Sequence, residues 1–216
     1  MKYSTVLFDF DYTLADSSRG IVKCFQNVLQ NHNFLNITDD SIKRTIGKTL
    51  DESFSILTGI TNPEELINLR NEYGKEASLY MSDNTYLFPE SKFTLNELKN
   101  DSIRIGIIST KYRFRIIEFL DLHFPSDLFD IIVGGEDVTL HKPHPEGLNF
   151  ALDKLQSSQN ETLYVGDSTI DAETAMRAGV DFVGVTSGAT TREELMTFPH
   201  KAIVSNLGEE FLKAIR

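Results

Sequence analysis

The chain of 216 residues lacks the features that mark secreted and membrane proteins. Its single cysteine, Cys24, excludes an internal disulfide framework and fits a reducing compartment. No apolar run approaches the roughly 20 residues needed to cross a bilayer. The first residues enter a predicted strand at once, which leaves no room for a signal peptide. We therefore expect a cytoplasmic protein without a membrane partner.

Basic residues are also scarce, with 21 Lys and Arg against 32 Asp and Glu and a net charge of −11. Because contact with a phosphate backbone needs a basic face, we expect no nucleic-acid partner. The same charge gives no long-range attraction to an anionic substrate. Any phosphate site must therefore be built locally, from a metal ion, a lysine and backbone amides.

Short apolar runs, many of them β-branched, predict strands buried on both faces of a parallel sheet. These runs are residues 6–10, 103–109, 131–134, 163–165, 182–185 and 202–204. Helical patterns separate them; one has Phe114, Ile117 and Leu120 on its apolar face, and another begins at a capping box of Thr191 with Glu194. The alternation predicts an α/β fold, a Rossmann-like open parallel sheet with helices on both sides.

Between the first two strands the alternation fails, because residues 16–83 show only helical periodicity. Four helices inserted there would form a separate bundle, with Cys24 as a buried apolar thiol. The predicted domains are an α/β core of residues 1–15 and 84–216 and a helical cap of residues 16–83. The cap would be inserted at the carboxyl end of the sheet, where open α/β folds bind ligands.

Two acids follow the first predicted strand, in the segment Asp9-Phe10-Asp11. Successive side chains of a strand face opposite sides, so Asp9 and Asp11 are predicted to project the same way. Carboxylates crowded together repel each other unless a cation joins them. Oxygen-rich sites of this kind suit Mg²⁺, which takes few carboxylates and keeps waters and a substrate phosphate.

Three later motifs also fall at or just after predicted strand ends. Ser109 and Thr110 are predicted to form a phosphate cradle with free amides of a first helical turn, or else a simple helix cap. Lys111 is predicted either to touch substrate or to start a helix in solvent.

The third motif presents Lys142 from a loop stiffened by two prolines, which suits a phosphate contact. The fourth is Gly166-Asp167 with Asp171 in the next helical turn. Both acids of this motif can face one ion, although Asp171 can alternatively serve the helix dipole alone.

The order of these four motifs resembles the haloacid dehalogenase superfamily of phosphotransferases over nearly the whole chain. The stretch Gly134-Gly135-Glu136-Asp137-Val138 leading to Lys142 is similar to the phosphoglycolate phosphatase branch. The segment of residues 45–50, which contains Gly47 and Lys48, resembles the specificity loop of that branch's cap.

The resemblance implies a role for each motif residue. Asp9 would be the nucleophile that forms an aspartyl-phosphate, and Asp11 the acid and base. Ser109 and Lys142 would hold the phosphoryl group. The implied Mg²⁺ ligands are Asp9, the main-chain carbonyl of Asp11, Asp167 and, directly or indirectly, Asp171. Thr110, Gly47 and Lys48 would contact substrate.

The expected function is a Mg²⁺-dependent phosphatase for a small phosphorylated metabolite, as a monomer or homodimer. A sugar phosphomutase or an inorganic pyrophosphatase on the same scaffold, and a non-catalytic regulatory module, are the alternatives. An acid at position 11 distinguishes the chain from the dehalogenases and the phosphonate-cleaving branch. Tyr12 stands where the family often has glycine, which adds bulk beside the nucleophile.

Overall fold

A computed structural model describes residues 2–216, and the chain forms two compact units. The first contains the chain up to Ala15 together with Leu87–Arg216, and the second is Asp16–Tyr86. The sequence placed the end of the inserted segment slightly earlier, at Asp83. The difference arises because helical periodicity stops before a short 3-10 turn, Ser82–Asn84, and a short strand.

The first unit is built on a six-stranded sheet in which all neighbouring strands are parallel. In chain order the strands of the protein are β1 (Thr5–Phe8), β2 (Ala15–Asp16), β3 (Tyr86–Leu87), β4 (Arg104–Ile108), β5 (Ile131–Val133), β6 (Thr162–Gly166), β7 (Asp181–Val185) and β8 (Ala202–Val204). The spatial order of the large sheet is β5-β4-β1-β6-β7-β8. The expected Rossmann-like α/β fold is confirmed. The short strands β2 and β3, where the chain passes from one unit to the other, pair with each other.

Two helical layers bury the two faces of the large sheet. Along β1, Val6 and Phe8 pack into one apolar cluster and Leu7 into the other. The first cluster is covered by α5 (Pro89–Asn100), α6 (Arg113–Leu120) and α10 (Glu209–Ile215), and the second by α7 (Glu146–Leu155), α8 (Thr169–Ala178) and α9 (Arg192–Leu195). The capping box predicted at Thr191 and Glu194 begins α9.

The second unit is a bundle of four helices around its own apolar cluster. They are α1 (Ser18–Asn31), α2 (Asp39–Lys43), α3 (Leu50–Thr58) and α4 (Pro63–Tyr80). Phe25 contacts Phe54 and Tyr73, with ring centroids 4.7 and 4.8 Å away. Cys24 is fully buried beside them, as expected for an apolar thiol. In the described part of the chain, no helix is both long and apolar enough to cross a bilayer.

Helix α6 buries a different face from the one the sequence predicts. Phe114 and Ile117 are 48% and 38% exposed, whereas Ile116 and Phe119 are buried with Leu120. The helix spans only eight residues, so its apolar spacing is compatible with two faces. Packing decides between them, because Phe119 meets the buried ring of Phe10 edge-on at 5.6 Å.

Candidate active site

The predicted site residues of the α/β core lie at one edge of the large sheet, at the carboxyl ends of its strands. Strand β1 pairs with β4 on one side and β6 on the other, so that the ends of the three strands are level. Asp9, Ser109 and Asp167 follow these ends directly and are all buried. The parallel topology therefore brings residues that are far apart in sequence to one carboxyl edge.

Lys142 lies at the centre of this edge and is 7% exposed. Its Nζ donates hydrogen bonds to Asp9 Oδ1 at 2.8 Å, Asp171 Oδ1 at 2.6 Å and the hydroxyl of Tyr164 at 3.1 Å. Burial alone would lower the pKa of Lys142, but Asp171 and Asp9 together hold it well above its ordinary value. The side chain is therefore an ammonium ion that compensates two buried carboxylates.

Tyr164 is a site residue that the sequence analysis missed. It lies in β6, and its hydroxyl is 3.0 Å from Asp171 Oδ1 and 3.1 Å from the carbonyl oxygen of Ile108. Burial raises the pKa of Tyr164 well above its usual value, and the charge of Asp171 adds to the effect. The phenol stays protonated and helps to position Lys142. The signal that could have identified Tyr164 is its hydroxyl, a polar group inside residues 163–165, which the sequence predicts as a continuously apolar strand.

Asp171 is held from both sides of its carboxylate. Oδ1 accepts the bond from Lys142, while Oδ2 accepts from the Ser168 amide at 3.1 Å and the Ser168 hydroxyl at 2.5 Å. The amide of Asp171 in turn donates to Ser168 Oγ at 3.2 Å, which completes a capping box at the start of α8. Asp171 thus caps the helix and orients Lys142.

Three carboxylates at the site fit a divalent cation. Asp9, Asp167 and Asp171 each place a ligand oxygen within 4.8 Å of the others, and all three are buried. Burial raises the pKa of Asp9 to about 6, with Lys142 opposing the shift and Asp171 and Asp11 adding to it. Burial, Asp171 and Asp9 raise the pKa of Asp167 well above its usual value. These oxygen donors are those that Mg²⁺ takes, and a cation beside them would offset their mutual repulsion.

Gly188 and Thr13 define the space around Asp167. A Cβ on Gly188 would overlap Asp167 Oδ2, so a side chain there would displace the carboxylate. The hydroxyl of Thr13 lies 3.5 Å from Asp167 Oδ1, at the limit of a hydrogen bond. Gly188 was not predicted as a site residue, because only the folded backbone brings it to the site.

Asp11 is paired with Lys111 rather than with Lys142. Lys111 Nζ donates to Asp11 Oδ1 at 2.8 Å, and both side chains are only 10% exposed. The same ammonium lies 5.6 Å from the ring centroid of Phe10. Of the two predictions for Lys111, a solvated helix start is wrong, because the residue precedes α6 and its side chain is largely buried and contacts Asp11. The other, a contact with substrate, stays a prediction.

The backbone around Ser109 and Thr110 differs from the one predicted for a phosphate cradle. Helix α6 begins only at Arg113, whose amide is occupied by both carboxylate oxygens of Glu136 at 2.9 Å. Ser109 and Thr110 therefore lie in the loop of residues 109–112 and not in a first helical turn. The prediction of free helix amides beside them is wrong, since the loop separates the strand from the helix.

The 3-10 turn Gly135–Asp137 braces this loop. The amide of Gly135 donates to the carbonyl oxygen of Lys111 at 3.0 Å. A Cβ on Gly135 would overlap the carbonyl oxygen of Thr110, and one on Gly134 would overlap the backbone of Arg113. The backbone approaches so closely at Gly134 and Gly135 that a side chain would not fit, which explains two glycines in a segment predicted only as a mark of the family.

Gly47 and Lys48 belong to the second unit, in the connection between α2 and α3. Gly47 has φ +97°, a conformation that favours glycine. The amide of Lys48 donates to the carbonyl oxygen of Thr45 at 3.1 Å, and its side chain is half-buried. Their predicted contact with substrate stays a prediction.

Tyr12 has a left-handed backbone, with φ +63°. Its amide donates to the Ala15 carbonyl oxygen at 2.7 Å, and its carbonyl oxygen accepts from the Ser187 hydroxyl. The conformation costs a residue with a Cβ about 1–2 kcal/mol. The backbone thus favours the glycine that the resembling family often has there, yet the chain keeps a tyrosine that is 8% exposed.

The fold and the acid–lysine edge define a phosphotransfer-type hydrolase core, and comparisons with known proteins agree. A family model described as haloacid dehalogenase-like hydrolase matches residues 6–185. The chain therefore belongs to the haloacid dehalogenase-like hydrolases, and it is an enzyme of their phosphatase type.

Individual relatives cover almost the whole chain. It is 30% identical over 207 residues to the pyrophosphatase PpaX of Oceanobacillus iheyensis, covering 96% of this chain and 94% of the relative. It is 29% identical to a phosphoglycolate phosphatase of Yersinia pestis, covering 94% and 90%. A crystal structure from Bacteroides fragilis, assigned to the haloacid dehalogenase-like hydrolases, shares 63% identity with a TM-score of 0.96, covering 97% and 100%.

The substitution Gly135→Ala should lower kcat/KM for a phosphate ester by about tenfold to a hundredfold. The new methyl group displaces the Thr110 carbonyl and the loop that carries Ser109, and misplacement by about 1 Å has this order of cost. Gly74→Ala in α4 is the matched control, because a Cβ there meets open space. The control should keep its activity and gain about 0.5–1 kcal/mol in free energy of unfolding. Equal activities of the two variants would contradict the role of the Gly135–Asp137 turn in holding the loop that carries Ser109.

The substitution Lys142→Met should destabilise the fold by about 3–5 kcal/mol near pH 8, because it leaves Asp9 and Asp171 buried without their cation. The loss should shrink near pH 5, about where buried carboxyls with raised pKa take up protons. Urea unfolding at both pH values measures it. Lys99→Met, which breaks a partly exposed pair with Asp130, should cost about 1 kcal/mol or less. A loss independent of pH would argue against buried-charge compensation.

Proposed function

We propose that the protein is a Mg²⁺-dependent phosphatase that hydrolyses a small phosphorylated metabolite through an aspartyl-phosphate on Asp9. The observation that carries the proposal is the buried contact of Asp9 with Lys142, beside Asp167, at the end of β1. A carboxylate, a fixed cation and a further carboxylate at one strand edge provide the positioning and charge compensation that phosphoryl transfer requires.

In the first half-reaction a carboxylate oxygen of Asp9 attacks phosphorus. The bond from Asp9 to phosphorus forms as the bond to the leaving oxygen breaks, and that oxygen takes a proton from Asp11. Lys142 and the hydroxyl of Ser109 hold the phosphoryl oxygens and offset their negative charge. Since the pKa of Asp9 is about 6, the nucleophile is largely ionised at neutral pH.

In the second half-reaction Asp11, now a carboxylate, removes a proton from a water molecule. The water oxygen bonds to phosphorus, and the bond between phosphorus and Asp9 breaks. Inorganic phosphate leaves, Asp9 returns as a carboxylate and Asp11 is again protonated. The sum is the hydrolysis of one phosphate ester by one water molecule.

Asp9, Asp167 and the main-chain carbonyl of Asp11 are the proposed holders of Mg²⁺. The ion would neutralise charge between the anionic nucleophile and the anionic phosphate. Asp171 would contribute to the ion directly or indirectly, since its oxygens also accept hydrogen bonds from Lys142, Tyr164 and Ser168. It also keeps the lysine in position.

Phosphoglycolate and pyrophosphate are the substrates that the relatives support best. Thr110 in the core and Gly47 and Lys48 in the helical unit are the proposed further contacts of the substrate. No observation favours a sugar phosphomutase, and the presence of every reacting group argues against a non-catalytic regulatory module.

The substitution Asp9→Asn should lower the Mg²⁺-dependent release of phosphate by roughly four orders of magnitude or more, because it removes the attacking group. A colorimetric phosphate assay with phosphoglycolate and with pyrophosphate measures it. Asp127→Asn, at an exposed position, is the matched control and should keep full activity.

Unchanged phosphate release by Asp9→Asn would refute Asp9 as nucleophile. Conversion of a hexose 1-phosphate to its 6-phosphate without free phosphate would instead identify a mutase. No turnover of any ester by the unmodified protein would favour the regulatory module.

Mg²⁺ should raise the melting temperature near pH 8, and the gain should fall away as the pH drops below about 6. The sign follows from the raised pKa of Asp9 and Asp167, since protonated carboxyls do not bind the ion. Thermal unfolding with Mg²⁺ and with EDTA measures the difference. Asp167→Asn should abolish most of the gain, and a gain of equal size at every pH would contradict the assignment.

A further inference from the structure

The two aspartates of the first motif face two different lysines. Asp9 contacts Lys142 at 2.8 Å, and Asp11 contacts Lys111 at 2.8 Å. In the proposed reaction, Asp9 and Lys142 of the first pair both contact the phosphoryl group that is transferred. The second involves the residue that protonates the leaving oxygen, so the ammonium of Lys111 lies on the side of the leaving group.

Several contacts fix Lys111 in this place. Its carbonyl oxygen accepts from Gly135, and its amide lies 3.4 Å from Ser109 Oγ. The ammonium lies 5.6 Å from the ring centroid of Phe10, and its side chain is 10% exposed. A cation held by the backbone brace and largely shielded from solvent interacts more strongly with a charge than a lysine on the open surface does.

Charge compensation shows which leaving groups this arrangement suits. An anionic leaving group must enter a site that holds the buried acids Asp9 and Asp167, in a protein whose net charge is −11. Lys111 offsets that repulsion at the point of contact and offers ammonium donors to the incoming group. A neutral alcohol gains nothing comparable from the cation.

We propose that Lys111 selects substrates whose leaving group carries a negative charge close to the bridging oxygen, such as a carboxylate or a second phosphate. The proposal rests on the proposed phosphatase function and names the substrate class of the same site. Glycolate and phosphate, the leaving groups of phosphoglycolate and pyrophosphate, both belong to this class. Lys111 binds the leaving group, whereas Asp11 transfers the proton.

The test compares phosphoglycolate with 2-hydroxyethyl phosphate, in which a neutral hydroxymethyl group replaces the carboxylate. The unmodified protein should prefer phosphoglycolate in kcat/KM. Lys111→Met should reduce this preference by about tenfold to a hundredfold, since a buried charged hydrogen bond has this effect. Lys111→Arg should keep most of the preference because it keeps the charge.

The ratio of the two esters separates recognition from positioning. If Lys111 only held Asp11 in place, Lys111→Met would slow both esters alike and leave the ratio unchanged, which would overturn the proposal. Intrinsic differences in reactivity cancel, because the same two esters are compared in each variant. Lys92→Met, an exposed lysine in α5, makes the same change in net charge and should leave the ratio unchanged.

A binding measurement keeps the two proposals distinguishable. If the unmodified protein hydrolyses neither ester, the phosphatase proposal fails for these substrates. Calorimetric titration of phosphoglycolate into Asp9→Asn, with and without Lys111→Met, then decides on Lys111 alone. A tenfold or greater loss of affinity on Lys111→Met supports recognition of the anion by Lys111, and equal affinities refute it.

Discussion

A single ammonium group among buried carboxylates holds the working edge of the sheet together. Lys142 Nζ binds Asp9 and Asp171 at once, and Tyr164 supports it from β6. Breaking such a contact leaves charge without compensation in a medium that solvates it poorly. The loops that begin after β1 and β6 and the one that carries Lys142 are therefore fixed relative to one another by electrostatics as well as by sheet pairing.

At the same edge of the sheet, two lysines form ion pairs with two different aspartates. Lys142 pairs with Asp9, and Lys111 pairs with Asp11. The raised pKa values of Asp9 and Asp167 show that the lysine beside them does not compensate the whole acidic cluster. A divalent cation beside these carboxylates would supply the remaining compensation. In the proposed function, these two lysine contacts let an acidic chain build a phosphate site without a basic surface.

Much of this organisation could be predicted from the chain alone. Alternating apolar runs specify the parallel sheet, and residues that follow such strands must meet at one edge. Asp9, Ser109 and Asp167 were found in this way, and the family resemblance gave Lys142 a role in holding phosphate. The contacts of Lys142 with Asp9 and Asp171 were not predicted and came from the structure. Tyr164, Gly188 and the contact of Glu136 with Arg113 were not found, because each depends on a side chain or backbone atom brought near by tertiary packing. The buried face of α6 was misassigned for the same reason, since a short helix has two plausible apolar faces.

The left-handed backbone at Tyr12 has a consequence for how this enzyme diverges over evolutionary time. A change to glycine there would relieve a conformational cost of about 1–2 kcal/mol, but it would also remove a side chain from a residue that is largely buried. If the ring contributed nothing to stability or function, selection for stability would favour glycine at this position. Persistence of tyrosine among close descendants would therefore be a historical record of selection acting on the ring itself.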